Sequence, residues 1–265
     1  MLNNINLERP IAFIDLETTG LKYYADCIVE FSVLKIRPDG TEEYKSRRVN
    51  PEMAIPSQAS SVHGITNADL EEEPTFRQLA KGICEFMDGC DLSGFNILDF
   101  DLPLLENEFK RAGIEFSRDN RQIIDTMTIY HKKVPYDPNV KRNLEAAYLF
   151  YCNKELLDAH SADSDVRACA EILDGQLDMY DDLPREVFSL CSLCSSDREN
   201  YIDIVGKFVW LGKEASFNFG KHKGRLLREI SSEYPDYLEW ILGQDFSPQV
   251  MGITTRALND EFPER

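Results

Sequence analysis

Ile11-Ala-Phe-Ile-Asp-Leu-Glu-Thr-Thr-Gly-Leu21 is the stretch on which the fold turns. It opens apolar from Ile11 to Ile14, as a buried strand does, and then carries Asp15 and Glu17 two residues apart. Residues i and i+2 of a strand share a face. Both acids therefore emerge together at the strand end, while Ile14 and Leu16 turn to the core. Thr18, Thr19 and Gly20 break the strand into a turn with free backbone N–H groups. Two carboxylates this close repel each other, and a cation between them removes that cost. Hard oxygen ligands favour magnesium or manganese over zinc. Taken alone, the pair also reads as a solvated Asp-x-Glu at a strand exit, so the rest of the chain must weigh in.

Downstream, Cys27 to Ile36 alternates as a second strand, Pro38-Asp-Gly40 turns the chain, and Glu42 to Asn50 returns antiparallel. Pro51 to Asp69 reads as a long connection carrying Val62-His-Gly-Ile-Thr66. Thr75 to Met87 is an amphipathic helix. Thr75 and Gln78 have capping-box spacing, and Phe76, Leu79, Ile83 and Phe86 recur at helical intervals. Leu92 to Asn96 is a short strand, followed by a helix from about Leu102 to Ala112 with Pro103 in its first turn and Gly113 as its stop. Ile123 to Thr126 is another strand running into a helix, and Asn143 to Phe150 and Ala162 to Tyr180 are further helices. A three-strand meander followed by alternating helices and strands predicts an α/β fold, a mixed sheet covered by helices.

The chain of 265 residues is long enough for a full core, and its 43 % apolar content fits a folded protein. No apolar run approaches a membrane span, and the amino terminus lacks the basic and apolar regions of a secretion signal. No membrane association and a cytoplasmic location are expected. Seven cysteines are scattered along the sequence; the single C-x-x-C, Cys191 and Cys194, has no second pair to complete a zinc site. Small core residues on a helix describe that pair better. The formal charge of −18 opposes tight, extended binding to phosphates, whereas a metal-dependent phosphoryl-transfer site is itself acidic. An enzyme working at chain ends, or one that depends on a partner, satisfies both.

Asp181 to Arg185 is polar and contains Pro184, and Ser195 to Asn200 is polar as well. The expected organisation is a domain over 1–185, a linker over 186–205 and a small α+β unit over 206–265. The core of that unit would draw on Phe208, Trp210, Phe217, Phe219, Tyr237 and Trp240.

Two further acidic segments stand out. Asp99 and Asp101 flank Phe100 at a helix start, where acids ordinarily cap. In His160-Ser-Ala-Asp-Ser-Asp165, five helical steps would turn His160 about 140° from Asp165. His160 is therefore placed in the loop before the helix, with Ser161 as cap and Asp165 on the first turn.

Together, Asp15-x-Glu17, Asp101 within Asn-x-x-x-Phe-Asp, and His160-x-x-x-x-Asp165 resemble the three motifs of the DEDDh 3′–5′ exonucleases. This DnaQ-like group, with an RNase H-like fold, includes the proofreading epsilon subunit of bacterial DNA polymerase III, exonuclease X, ribonuclease T and oligoribonuclease. The order of the motifs fits, as do Val62-His-Gly-Ile-Thr66 and Ile124-Asp-Thr126, and the likeness spans roughly residues 9 to 178. It implies that Asp15, Glu17, Asp101 and Asp165 hold two magnesium ions, Mg2+ being replaceable by Mn2+, with His160 as general base. Asp101, after the phenylalanine, is the implied ligand rather than Asp99. The resemblance also assigns Thr18 and Leu21 to the terminal nucleotide and puts His63 near the substrate, although a structural hydrogen bond describes His63 equally well. Asp125 is either a support for the ligands or the cap of the next helix.

Phe217-Asn-Phe-Gly-Lys-His-Lys-Gly-Arg225, with Tyr234-Pro-Asp-Tyr-Leu-Glu-Trp240, resembles the C-terminal module of exonuclease X-like proteins. Lys221, Lys223 and Arg225, with Arg228, surround His222. A basic loop with aromatics nearby can hold phosphates and stack bases; a tight hairpin with solvated lysines is the alternative. The resemblance implies hydrolysis from the 3′ end of a nucleic acid, single-stranded DNA ahead of RNA, releasing nucleoside 5′-monophosphates. Proofreading beside a polymerase or repair partner, or a non-catalytic docking role, are the competing readings.

Overall fold

In the computed structural model, residues 2–156 and 162–265 are described. Strand β1 (Ile11–Thr18) pairs antiparallel with β2 (Ile28–Ile36), which pairs antiparallel with β3 (Glu42–Arg48). Ile11 to Ile14 are at most 1 % exposed, because helices cover both faces of the sheet at this strand. By contrast β3 is a charged, largely open edge, a composition that discourages pairing with another chain.

The connection after β3 is not the plain loop expected over 51–69. It contains two short helices, α1 (Ser57–His63) and α2 (Asn67–Leu70). Ile55, Ile65 and Leu70 bury against Val29, and this small apolar cluster is what folds the segment. Helix α3 (Phe76–Phe86) starts at a Thr75/Gln78 capping box and buries Phe76, Ala80, Ile83 and Phe86.

Next, β4 (Asp91–Gly94) runs parallel to β1, α4 (Asp101–Ala112) follows, and β5 (Ile123–Asp125) runs parallel to β4. The strand order is β3-β2-β1-β4-β5. Gly94 allows the close approach of β4 to β1, since a Cβ there would lie 2.8 Å from the Ile14 carbonyl oxygen. Helices α5 (Thr126–Lys133), α6 (Leu144–Cys152) and α7 (Ala162–Met179) complete the layers. The long α7 lies on β1 and β2 through the fully buried Val166, Cys169, Ala170 and Leu173.

The segment expected to link two units, 186–205, instead begins with a helix, α8 (Val187–Ser195). Val187, Leu190 and Cys194 join the core of the sheet domain. Cys191 and Cys194 receive the backbone N–H groups of Ile123 and Asp125 at 3.3 and 3.4 Å, so the C-x-x-C packs on the β5 edge. All seven cysteines are free thiols. The division between the two units falls between Cys194 and Ser195.

The second unit is a hairpin, β6 (Phe208–Leu211) and β7 (Glu214–Phe217), with helices α9 (Leu227–Glu233), α10 (Pro235–Leu242) and α11 (Pro248–Leu258). Phe208, Phe217 and Tyr237 are buried, together with Leu227, Ile230, Leu238 and Ile241. Of the other expected core residues, Trp210 and Phe219 are only half-buried and Trp240 is 49 % exposed. On α10 the buried face is carried by Tyr237, Leu238 and Ile241, which leaves Trp240 at its margin. Among the described residues no helix is long and apolar enough to cross a membrane.

Candidate active site

At its exit β1 does not pair evenly with β2. Asp15 opposes Ser32 and Glu17 opposes Glu30, after which the register shifts so that Thr18 opposes Ile28. Directly opposed residues of an antiparallel pair share a face, so Glu30 adds a third acid beside Asp15 and Glu17. Asp165 reaches the same point from the first turn of α7. One carboxylate oxygen from each of Asp15, Glu17 and Asp165 lies within 4.8 Å of the others. Asp101, the first residue of α4, is buried, and its carboxylate engages the Leu16 backbone and feels the charge of Asp15.

The electrostatics follow from that crowding. Burial, and then the charges of Asp15, Asp165 and Glu30, push Glu17 up to about 8. Burial and the Asp165 charge raise Asp15, and burial with the Asp15 charge raises Asp101 well above the ordinary carboxylate range. Beneath them the Cys169 thiol is held protonated by burial and by the same acids. Carboxylates so arranged either bind protons or share a cation. All the donors are hard oxygens, and the set fits a divalent cation such as magnesium or manganese.

Supports of two kinds hold these acids in place. Asp125 is fully buried at the end of β5. It caps α5 by accepting the N–H groups of Met127 and Thr128, and it also accepts those of Asn96 and Leu98 at 3.1 and 3.2 Å. Asp125, read from sequence as either a support for the ligands or the cap of the next helix, thus caps α5 and also binds the β4–α4 loop. The second support is Asp26. Its carboxylate receives the Thr19 hydroxyl at 3.0 Å and the Lys22 N–H at 2.8 Å, which fastens the Thr-Thr-Gly turn. From α4, Arg111 donates to the carbonyls of Tyr24 and Asp26, and Asn107 donates to that of Tyr23. The helix that carries Asp101 therefore also anchors the loop beside Glu17. Arg111 did not stand out in the sequence because the carbonyls it reaches belong to a distant segment, and Asp26 did not because its bonds to Thr19 and Lys22 form only once the turn closes. Glu30 could have been found by pairing the two strands in register.

The remaining expected residues are spread differently. Leu21 is 84 % exposed at the turn, whereas the buried Thr18 donates its hydroxyl to the Gly20 carbonyl at 2.7 Å. His63 ends α1 and accepts the Ile65 N–H at Nδ1, 3.1 Å away, the structural bond that its position in Val62-His-Gly-Ile-Thr66 allowed. His160 lies outside the described residues. Asp99 is half-buried, and neither it nor the buried Asp101 belongs to the group of Asp15, Glu17 and Asp165 oxygens within 4.8 Å of one another. In the second unit Lys221 and Lys223 are exposed. Arg225 is instead held by Glu233 at 2.7 Å and Glu229 at 3.5 Å, so its charge is largely offset within the protein.

The family model described as Exonuclease (RNase T) matches residues 12–173, and that of the Exodeoxyribonuclease X-like C-terminal domain matches 217–246. A protein named 3′-5′ exonuclease DinG from Staphylococcus aureus (strain bovine RF122 / ET3-1) is 27 % identical over 174 residues, covering 65 % of this chain and 19 % of that protein. Its namesake from Staphylococcus saprophyticus is 25 % identical over 200 residues, covering 75 % of this chain and 21 % of that protein. The chain thus spans only about a fifth of these relatives' length. Among solved structures, E. coli exonuclease I in complex with a dT13 oligonucleotide superimposes with a TM-score of 0.56 at 18 % identity, covering 63 % of this chain and 40 % of that one. A second exonuclease I structure gives 0.57 at 17 % identity, covering 65 % and 43 %. The RNase H-like α/β fold is shared with these proteins.

Proposed function

The chain belongs to the exonuclease family, and from that premise we propose that it is a metal-dependent 3′–5′ exonuclease that shortens single-stranded DNA from its 3′ end. One observation carries the reading: Asp15, Glu17 and Asp165 bring carboxylate oxygens within 4.8 Å of one another from two separate elements. With the buried Asp101 they would hold two magnesium ions, and manganese would serve in their place. Bound there, the cations would supply Lewis acidity and offset the charge of the phosphate.

The protein's own groups do the rest. The turn after Glu17, fastened by Asp26, presents Leu21 to the terminal base and backbone N–H groups to the 3′-hydroxyl. Asp125 keeps Asp101 in register with Asp15 through the loop it binds. His160, two residues before α7 in the sequence, would take the proton from the attacking water, a task that suits a group titrating near neutrality. The product is a nucleoside 5′-monophosphate.

DNA is preferred over RNA for two reasons. The tail matches an exodeoxyribonuclease module, and structures of similar fold are complexes with dT13 and dA16. A cytoplasmic setting belongs to the same reading. A protein partner is compatible with it, since one exonuclease I structure of similar fold is a complex with SSB-Ct.

The test uses two matched single strands labelled at the 3′ end, one DNA and one RNA, with magnesium and then manganese. Mononucleotide release from DNA in the wild type, lost in Asp15→Ala, is the expected result. Faster release from RNA would reassign the substrate, and release from neither strand would leave a non-catalytic docking role.

A further inference from the structure

The second unit has a cleft of about 490 Å³ lined by Gly220, Lys221, Asp236, Tyr237 and Trp240. Tyr237 and Trp240 stand three residues apart on α10, hence on one face. Their rings are nearly parallel, 17° apart with centroids at 5.5 Å. Tyr237 is 8 % exposed and Trp240 is 49 % exposed, so the indole carries the stack from the core out to solvent.

The floor of the cleft is rigid. Gly220 has φ +62°, and a Cβ there would fall 2.4 Å from the Tyr237 hydroxyl. Only glycine lets the turn over Gly220–His222 close on that ring. His222, 7 % exposed, is wedged between the rings of Tyr234 and Tyr237 at 4.9 and 4.6 Å. The closed turn puts the Lys221 ammonium 5.0 Å from the Tyr237 ring centroid. Lys221 and Lys223 have no carboxylate within ion-pair distance among the described residues, unlike Arg225 with Glu233 and Arg228 with Glu214.

An aromatic platform with one half-open face, beside the Lys221 ammonium and two residues from the exposed Lys223, is complementary to a base and its flanking phosphates. Asp236 lines the same cleft, and its carboxylate would disfavour a phosphate placed against it. We propose that this cleft is a second contact for single-stranded nucleic acid, with a base stacked on Trp240 and phosphates on Lys221 and Lys223. The inference rests on the exonuclease reading for its choice of ligand, and it moves the tail's binding site from Arg225 to the Tyr237–Trp240 stack.

The test is made on the full chain carrying Asp15→Asn, so that binding is read without turnover, and Trp210→Phe, so that Trp240 is the only tryptophan. Titration with a dT 20-mer is expected to quench the Trp240 fluorescence. Trp240→Ala should weaken 20-mer binding, followed by anisotropy, about tenfold or more. Lys221→Gln with Lys223→Gln should flatten the salt dependence of binding by about 1.4 in log–log slope. Unchanged fluorescence on saturation, or wild-type affinity in Trp240→Ala, would overturn the proposal. Because turnover is measured separately on the Asp15 chain, loss of the exonuclease reading and loss of this one give different results.

Discussion

The Asp125 carboxylate accepts the backbone N–H of Asn96 at 3.1 Å, tying the end of β5 to the loop that leaves β4. Asn96 has φ +67°, in the left-handed region that a non-glycine residue enters at some cost. The same carboxyl group holds Leu98 and caps α5, so one buried side chain anchors the start of α4 and, with it, Asp101.

Asp125→Ala removes the acceptor for four backbone N–H groups. The expected loss is about 3 kcal/mol or more of stability, read from the midpoint of denaturant unfolding. The rate of nucleotide release should fall as well, because Asp101 loses its register. An unfolding midpoint equal to the wild type would mean that the loop is held by something else.

Asp26 acts at the turn that follows Glu17. Asp26→Ala frees the Thr19 hydroxyl and the Lys22 N–H at a cost of about 1–2 kcal/mol. The four acids keep their places, so KM for a single strand should rise several-fold while kcat changes less. A fall in kcat at constant KM would show that the turn serves the reaction rather than the grip on substrate.

Leu21 makes the cleanest separation of binding from folding. It is 84 % exposed, so Leu21→Ala should change stability by less than about 0.5 kcal/mol. Losing the contact proposed between Leu21 and the terminal base should raise KM by about tenfold. An unchanged KM would remove Leu21 from the substrate site.

The acids predict a pH dependence of defined sign. Glu17 is pushed up to about 8 in the folded chain, against about 4.3 for a free glutamate. Between these values the folded, cation-free protein binds more protons than the unfolded one, so its stability is highest at the acid end of this window and falls as pH rises through it. Magnesium bound at the proposed site would displace those protons. The Tm of chelator-treated protein should therefore drop from about pH 5 to about pH 8, and saturating magnesium should cancel the drop. A flat chelator-treated profile would contradict this picture of the site.

Much of this was legible in the sequence, for reasons that can be named. The apolar run Ile11 to Ile14, the Thr75/Gln78 capping box and the Gly113 stop are local signals, and the elements they announce are present within a residue or two. The two acids two residues apart on β1 needed only strand geometry to be placed together. What escaped depends on contacts between distant segments. Val187 to Ser195 looked like a link because its flanks are polar, yet Leu190 and Cys194 have a groove in the first core to fill. Trp240 read as core by residue type, although the packing of α10 turns Tyr237 and Leu238 inward instead. Arg225 looked like a phosphate ligand until Glu229 and Glu233 came into range through the folding of α9.

Under the proposed function Asp15 serves chemistry at the expense of stability, and one substitution measures both. Asp15→Asn keeps the shape of the side chain and removes a charge that its neighbours oppose. The cation-free Tm of this variant should equal or exceed that of the wild type. Nucleotide release from a 3′-labelled single strand in magnesium should fall about a thousandfold or more. A variant that releases nucleotide within tenfold of the wild-type rate would contradict a catalytic role for Asp15.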